Sequence, residues 1–86
     1  MVDTDKKPDF INEQGVKWWI DTITTDYAKC RNLPNHKVWL VEELNGSRIY
    51  VITEGDKIVG ESQQLEAIGV KLDVLGFLAK EDKNHV

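Results

Sequence analysis

The sequence predicts an α+β domain of order αβββα: a three-stranded antiparallel β-meander with an N-terminal and a C-terminal helix. Three observations predict it. Asn45–Gly46 is a turn signal between two apolar runs, Gly55–Asp56 is a second one, and helical apolar spacing lies on either side of this region. The chain has 86 residues, a length for one domain and not for two.

Residues 1–8 are polar and charged and end in Pro8, which disfavours helix in the residue before it; they are expected to form a flexible lead. The single domain is then expected over 9–80. From Asn12 to Arg31, Val16, Trp19, Ile20, Ile23, Tyr27 and Cys30 recur at three- and four-residue steps, the pattern of one helical stripe. Trp18, Trp19, Ile20 and Thr22 to Thr25 have high β-propensity and argue the other way. The periodicity persists for about fifteen residues, longer than most strands, so a helix is expected, capped at its start by Asp9 or Asn12 and stopped at Asn32, Pro34 and Asn35.

Lys37–Leu44 and Ser47–Thr53 flank Asn45–Gly46. A two-residue type I′ turn requires φ > 0 at both central positions, which Asn and Gly tolerate. That loop length pairs Glu43 with Arg48, Val41 with Tyr50 and Trp39 with Ile52. Gly55–Asp56 repeats the device, pairing Glu54 with Lys57 and Ile52 with Val59. One sheet face is then expected to carry Trp39, Val41, Tyr50, Ile52 and Val59, the other Val38, Leu40, Ile49, Val51 and Ile58. A sheet with one solvated face alternates apolar and polar residues, and this one is apolar on both. Either a helix covers each face or one face is left for a partner.

Ser62 to about Lys80 carries two helical stripes, one of Leu65, Ile68, Leu72, Leu75 and Ala79, the other of Ala67, Val70, Val74 and Phe77. Ser62 is the expected N-cap. Gly69 and Gly76, seven apart, share a side on which another backbone has room to approach. A break at Gly69 with a strand over Val70–Phe77 is the alternative, and the continuous helix is preferred. Residues 81–86 are expected to be a flexible tail.

Composition limits function. Apolar residues are 41% and charged residues 30% of the chain, which argues against wholesale disorder. The net charge of −4 runs against phosphate-neutralising surfaces, so nucleic acid is not the expected partner. No apolar run approaches the roughly 20 residues of a membrane span. With a lone cysteine, Cys30, and no apolar leader, the expected location is cytoplasmic.

Constellations for chemistry are weak. Gly55 to Ser62 resembles a phosphate loop in outline, but Glu61 stands where such a loop needs lysine. Cys30 and His36 are six apart, yet Cys30 falls on the apolar stripe as a buried small residue and His36 reads as an exposed loop residue. One Cys and two His give no metal-ligand spacing. No catalytic residue, cofactor or metal is therefore assigned. The surplus is aromatic: Trp18, about 100° around a helix from Trp19, lies near Lys17, Lys29, Arg31, His36 and Lys37, and Trp39 and Tyr50 share a sheet face. These eight residues form the candidate interaction surface. The expected function is non-enzymatic: an interaction module that binds a second copy of itself or another protein as an accessory or inhibitor. The alternative is a small nucleotide- or nucleic-acid-binding domain using the exposed Trp and its basic neighbours.

Overall fold

The computed structural model describes residues 2–84, with side chains described to Lys80. Along the chain come β1 (Phe10–Ile11), β2 (Lys17–Ile20), α1 (Thr22–Cys30), β3 (His36–Glu42), β4 (Arg48–Glu54), β5 (Lys57–Ser62) and α2 (Leu65–Asn84). The strands form one antiparallel sheet in the order β1-β2-β3-β4-β5. The α+β class stands, and the expected three-stranded meander is corrected to a five-stranded sheet. His85 and Val86, the end of the expected tail, lie outside the described residues.

The two extra strands lie within residues 10–20, where the first helix was expected to begin. Trp18 pairs with Val41 and Trp19 with Leu40, so the adjacent tryptophans point to opposite sheet faces. The helical spacing of Val16, Trp19, Ile20 and Ile23 is the sum of a strand and a helix, not one element. Asp21 divides them. Its backbone N–H donates to Val38 O at 2.8 Å, extending the β2–β3 pairing, and its Oδ1 accepts from Thr24 N–H at 3.2 Å as the N-cap of α1. Asp9 and Asn12, the expected caps, act elsewhere: Asp9 Oδ2 accepts from Ile20 N–H, and Asn12 Oδ1 from Gln14 and Val16 N–H in the β1–β2 turn. At its other end α1 stops as expected. Asn32 takes φ 65°, Asn32 N–H donates to Lys29 O and Leu33 N–H to Ala28 O, a Schellman cap.

The hairpin at Asn45–Gly46 forms, but with a longer loop. Gly46 has φ 87° while Asn45 keeps negative φ, so a type I′ turn is excluded. Gly46 N–H donates to Glu43 O and Glu43 N–H to Ser47 O, which is a type I turn followed by a left-handed glycine. The β1–β2 loop repeats these bonds at Asn12, Gly15 and Val16. The register is therefore Glu42↔Arg48, Leu40↔Tyr50 and Val38↔Ile52, one residue from the expected pairing, and Arg48 meets Glu42 at 3.7 Å rather than Glu43. Glu54↔Lys57 pair as expected around Gly55–Asp56. Beyond them Ile52 pairs with Gly60, leaving Val59 as a bulge in β5.

A one-residue slip exchanges the faces of a strand. Trp19, Val38, Leu40, Tyr50 and Ile52 thus share one face, and Trp18, Trp39, Val41, Ile49, Val51 and Ile58 the other. Both helices lie on the first face. Ala28 and Leu33, from α1 and its cap, and Ile68 and Leu72 of α2 join Val38 and Ile52 in the core. Burying each large aliphatic side chain there contributes about 1.5–3 kcal/mol. Thr25 Oγ1 accepts from Val38 N–H at 3.0 Å, which fastens α1 to β3.

Helix α2 runs unbroken through Gly69 and Gly76. Ser62, expected as its cap, ends β5, and its Oγ accepts from Gln64 N–H at 3.1 Å. Of the two expected stripes, Ile68 and Leu72 are buried whereas Val70, Val74 and Phe77 are exposed. Only Gly76 serves a close approach: a Cβ there would lie 2.5 Å from Arg31 O, while none of the surrounding structure crowds Gly69.

Candidate functional site

With both helices on one face, the opposite face of the sheet is covered by no helix or strand among the described residues. Alternation along β2 and β3 places Trp18 and Trp39 on it, and the β1–β2 pairing sets Phe10 opposite Trp18. The three rings form an edge-to-face ladder, with centroids 6.2 Å apart for Phe10–Trp18 and 5.9 Å for Trp18–Trp39. Trp39 Nε1 donates to Thr53 Oγ1 at 2.9 Å, which fixes the rotation of its indole. Lys37 holds its ammonium 6.0 Å from the Trp39 ring. Val41 and Val51 form the buried floor beside the ladder, and Ile58 stands at its margin, 52% exposed.

The ladder separates two open hollows. One, of about 680 Å³, lies between Phe10, Trp18, Trp39 and Ile58 and is bordered by Lys37, Asp9 and Asp56. The other, of about 500 Å³, lies over Val41, Ile49 and Val51 and is bordered by Glu43 and Glu61. Asp9, Glu43, Asp56 and Glu61 are exposed, and none makes an ion pair among the described residues. The surface therefore combines an apolar centre with a margin of four carboxylates and one ammonium.

Of the eight candidate residues, the structure brings together Trp18, Trp39 and Lys37. Lys17 and Tyr50 point to the helix-covered face, where Tyr50 packs against the core. His36 is corrected from an exposed loop residue to a buried position at the start of β3. Its Nδ1, like Trp18 Nε1, is buried without a hydrogen-bond partner among the described residues. Lys29 lies on α1 with Asp26 at 3.9 Å. Arg31 is at the end of α1, where it stacks on Tyr27 and meets Asp73 of α2 at 3.1 Å. The hydrogen bond that Arg31 donates to the Tyr27 hydroxyl oxygen, then the charges of Tyr27 and Asp73, hold the Arg31 guanidinium above its ordinary pKa. That cluster joins the two helices.

Phe10, Ile49, Val51 and Ile58 belong to the surface and were not among the candidates. The signal for Phe10 is slight: one aromatic residue followed by Ile11 in a polar stretch. The aliphatic residues become recognisable only when the hairpin register is known.

Cys30 is exposed rather than buried, and it opens on a shallow cleft with Arg31, Asn32, Asp73, Phe77 and Lys80, away from the aromatic ladder. Among the described residues no three His, Cys, Asp or Glu side chains are placed to hold a metal ion, and no helix is long and apolar enough to cross a membrane. No family model matches the chain, and no curated protein or solved structure matches it.

Proposed function

We propose that this protein is a non-enzymatic protein–protein interaction module that docks through the open face of its sheet. One observation supports the reading above all: both helices pack on the same face, while the other carries an aromatic ladder on an aliphatic floor. Phe10 and Ile58 are exposed on this face and Trp18, Trp39 and Ile49 partly so, and apolar surface rimmed by polar groups marks interaction sites. Trp and Tyr dominate the energetics of such sites because they bury much area for little lost rotamer freedom. The ladder is held by pairing within the sheet and by the Trp39–Thr53 bond, so little ordering is left to be done on association.

The alternative, nucleotide or nucleic-acid binding, shares the stacking rings and Lys37. The carboxylates of Asp9, Glu43, Asp56 and Glu61 around them weigh against a phosphate backbone.

Ile58→Glu tests the proposal. The side chain is half exposed, so the charge enters the docking face without entering the core. Sedimentation velocity and affinity capture are run on both proteins, with thermal unfolding as the control for folding. The expected result is an association, with a copy of itself or with a captured protein, that the parent supports and the variant loses at unchanged thermal midpoint. An association retained in full by Ile58→Glu removes this face from the proposal. Quenching of tryptophan fluorescence by nucleotides or single-stranded oligonucleotides would favour the alternative.

A further inference from the structure

The charge around the open face selects among the occupants that a docking surface of this shape accepts. Lys37 is the one cation bordering the two hollows, against the carboxylates of Asp9, Asp56, Glu43 and Glu61. Asp9 is occupied, since its Oδ2 accepts the Ile20 N–H at 2.8 Å. Glu43, Asp56 and Glu61 make no side-chain hydrogen bond or ion pair among the described residues, as is also so of Glu13, Glu54 and Glu66, whereas Glu42 pairs with Arg48, Asp73 with Arg31 and Asp26 with Lys29. No other described basic side chain lines either hollow, and Lys6 and Lys7 stand with Asp9 around a neighbouring one.

We infer that the partner is a basic polypeptide, one that presents apolar side chains to the ladder and the aliphatic floor and Lys or Arg to Glu43, Asp56 and Glu61. This rests on the docking reading above and specifies its partner. A second copy is the poorer occupant. Two such faces brought together oppose at least three unpaired carboxylates on each side with one lysine from each, and like charges across an interface act against association. A basic segment places opposite charges at the margin and hydrocarbon at the centre, the usual division between rim and core. Rim pairs of this kind contribute modestly each, and three together are expected to give about a tenfold gain in affinity.

The full-length chain, labelled with ¹⁵N, is titrated with a short peptide alternating leucine and lysine. It is titrated in parallel with the counterpart carrying glutamine at each lysine. The lysine peptide is expected to bind about tenfold more tightly at low salt, the margin shrinking as ionic strength rises. Shift changes are expected at Trp18, Trp39 and Ile58. Combining Glu43→Gln, Asp56→Asn and Glu61→Gln, all at exposed positions, is expected to bring the two peptides to the same affinity.

Equal affinity for the two peptides overturns the basic partner and leaves the docking face standing. Failure of both peptides, with a dimer in sedimentation whose shift changes map to this face, assigns it to a second copy. A single-stranded oligonucleotide that outcompetes the lysine peptide assigns it to nucleic acid. Failure of both peptides with a concentration-independent monomer overturns the docking reading itself.

Discussion

Gly69 and Gly76 lie two turns apart on α2, and alanine at each should move stability in opposite directions. In a helix interior alanine is favoured over glycine by about 0.8–1 kcal/mol, because glycine loses more backbone freedom on folding. At Gly69 an added Cβ meets nothing within 4 Å, so Gly69→Ala should realise most of that gain. For a domain of this size it corresponds to a rise of about 4–8 °C in the melting midpoint. At Gly76 the same methyl would stand 2.5 Å from Arg31 O and 2.9 Å from Arg31 Cβ. Arg31 sits in the Schellman cap that ends α1, and its carbonyl cannot swing aside without disturbing the bonds at Asn32 and Leu33. The two helices must therefore separate there by several tenths of an ångström. Overpacking of this kind costs about 1–3 kcal/mol, and backbone contact puts it toward the upper end. After subtracting the propensity gain, Gly76→Ala should lose about 1–2 kcal/mol. Urea unfolding followed by circular dichroism, with the slope checked for constancy, reads both variants. A Gly76→Ala protein as stable as the parent would refute the close packing of α2 on the end of α1. A destabilised Gly69→Ala would refute the open surroundings of that residue.

Asp21→Ala removes the acceptor for Thr24 N–H at the start of α1 and should cost about 1 kcal/mol in chemical denaturation; no loss would mean that Asp21 does not cap the helix. Thr25→Val keeps the shape of the side chain but leaves Val38 N–H buried without its acceptor, and about 1–3 kcal/mol should be lost, with faster amide exchange at Val38. Leu72→Ala empties a fully buried position between α2 and the sheet and should cost about 2–5 kcal/mol; a loss under 1 kcal/mol would place Leu72 outside the core.

The fold was legible where a single element accounts for its own pattern. The C-terminal helix follows from the Leu65, Ile68, Leu72 and Leu75 spacing, and the end of α1 follows from Asn32 with Pro34 behind it. It was not legible where two elements abut. Trp19 and Ile20 of β2 and Ile23, Tyr27 and Cys30 of α1 happen to fall on one helical period, and only Asp21, an N-cap residue type in mid-pattern, marks the seam. The adjacent Trp18 and Trp19 were a second warning, since both are half-buried or better and only a strand directs neighbours into opposite layers. Phe10–Ile11 is too short to register in any periodicity.

The hairpin register failed for a different reason. Asn45–Gly46 serves a two-residue type I′ loop or the end of a longer loop with glycine left-handed. The flanking strands are apolar on both faces and do not penalise the wrong choice. This affected the candidate surface directly. Trp18, Trp39 and Lys37 were recognisable as residue types, but their shared face depends on β2 being a strand. Val51 and Ile58 join them only in the observed register.

The bulge at Val59 bears on how such a surface is kept from uncontrolled association. A chain with an exposed apolar sheet face is at risk of adding strands at its rims and growing into a fibre. Here one rim is β1, two residues long, and the other is β5, where Val59 interrupts the ladder and Lys57 and Glu61 bring charge. Neither rim offers a long, flat, regular template. The sheet is open broadside and blunted at its borders, a shape that disfavours strand-by-strand growth from either rim.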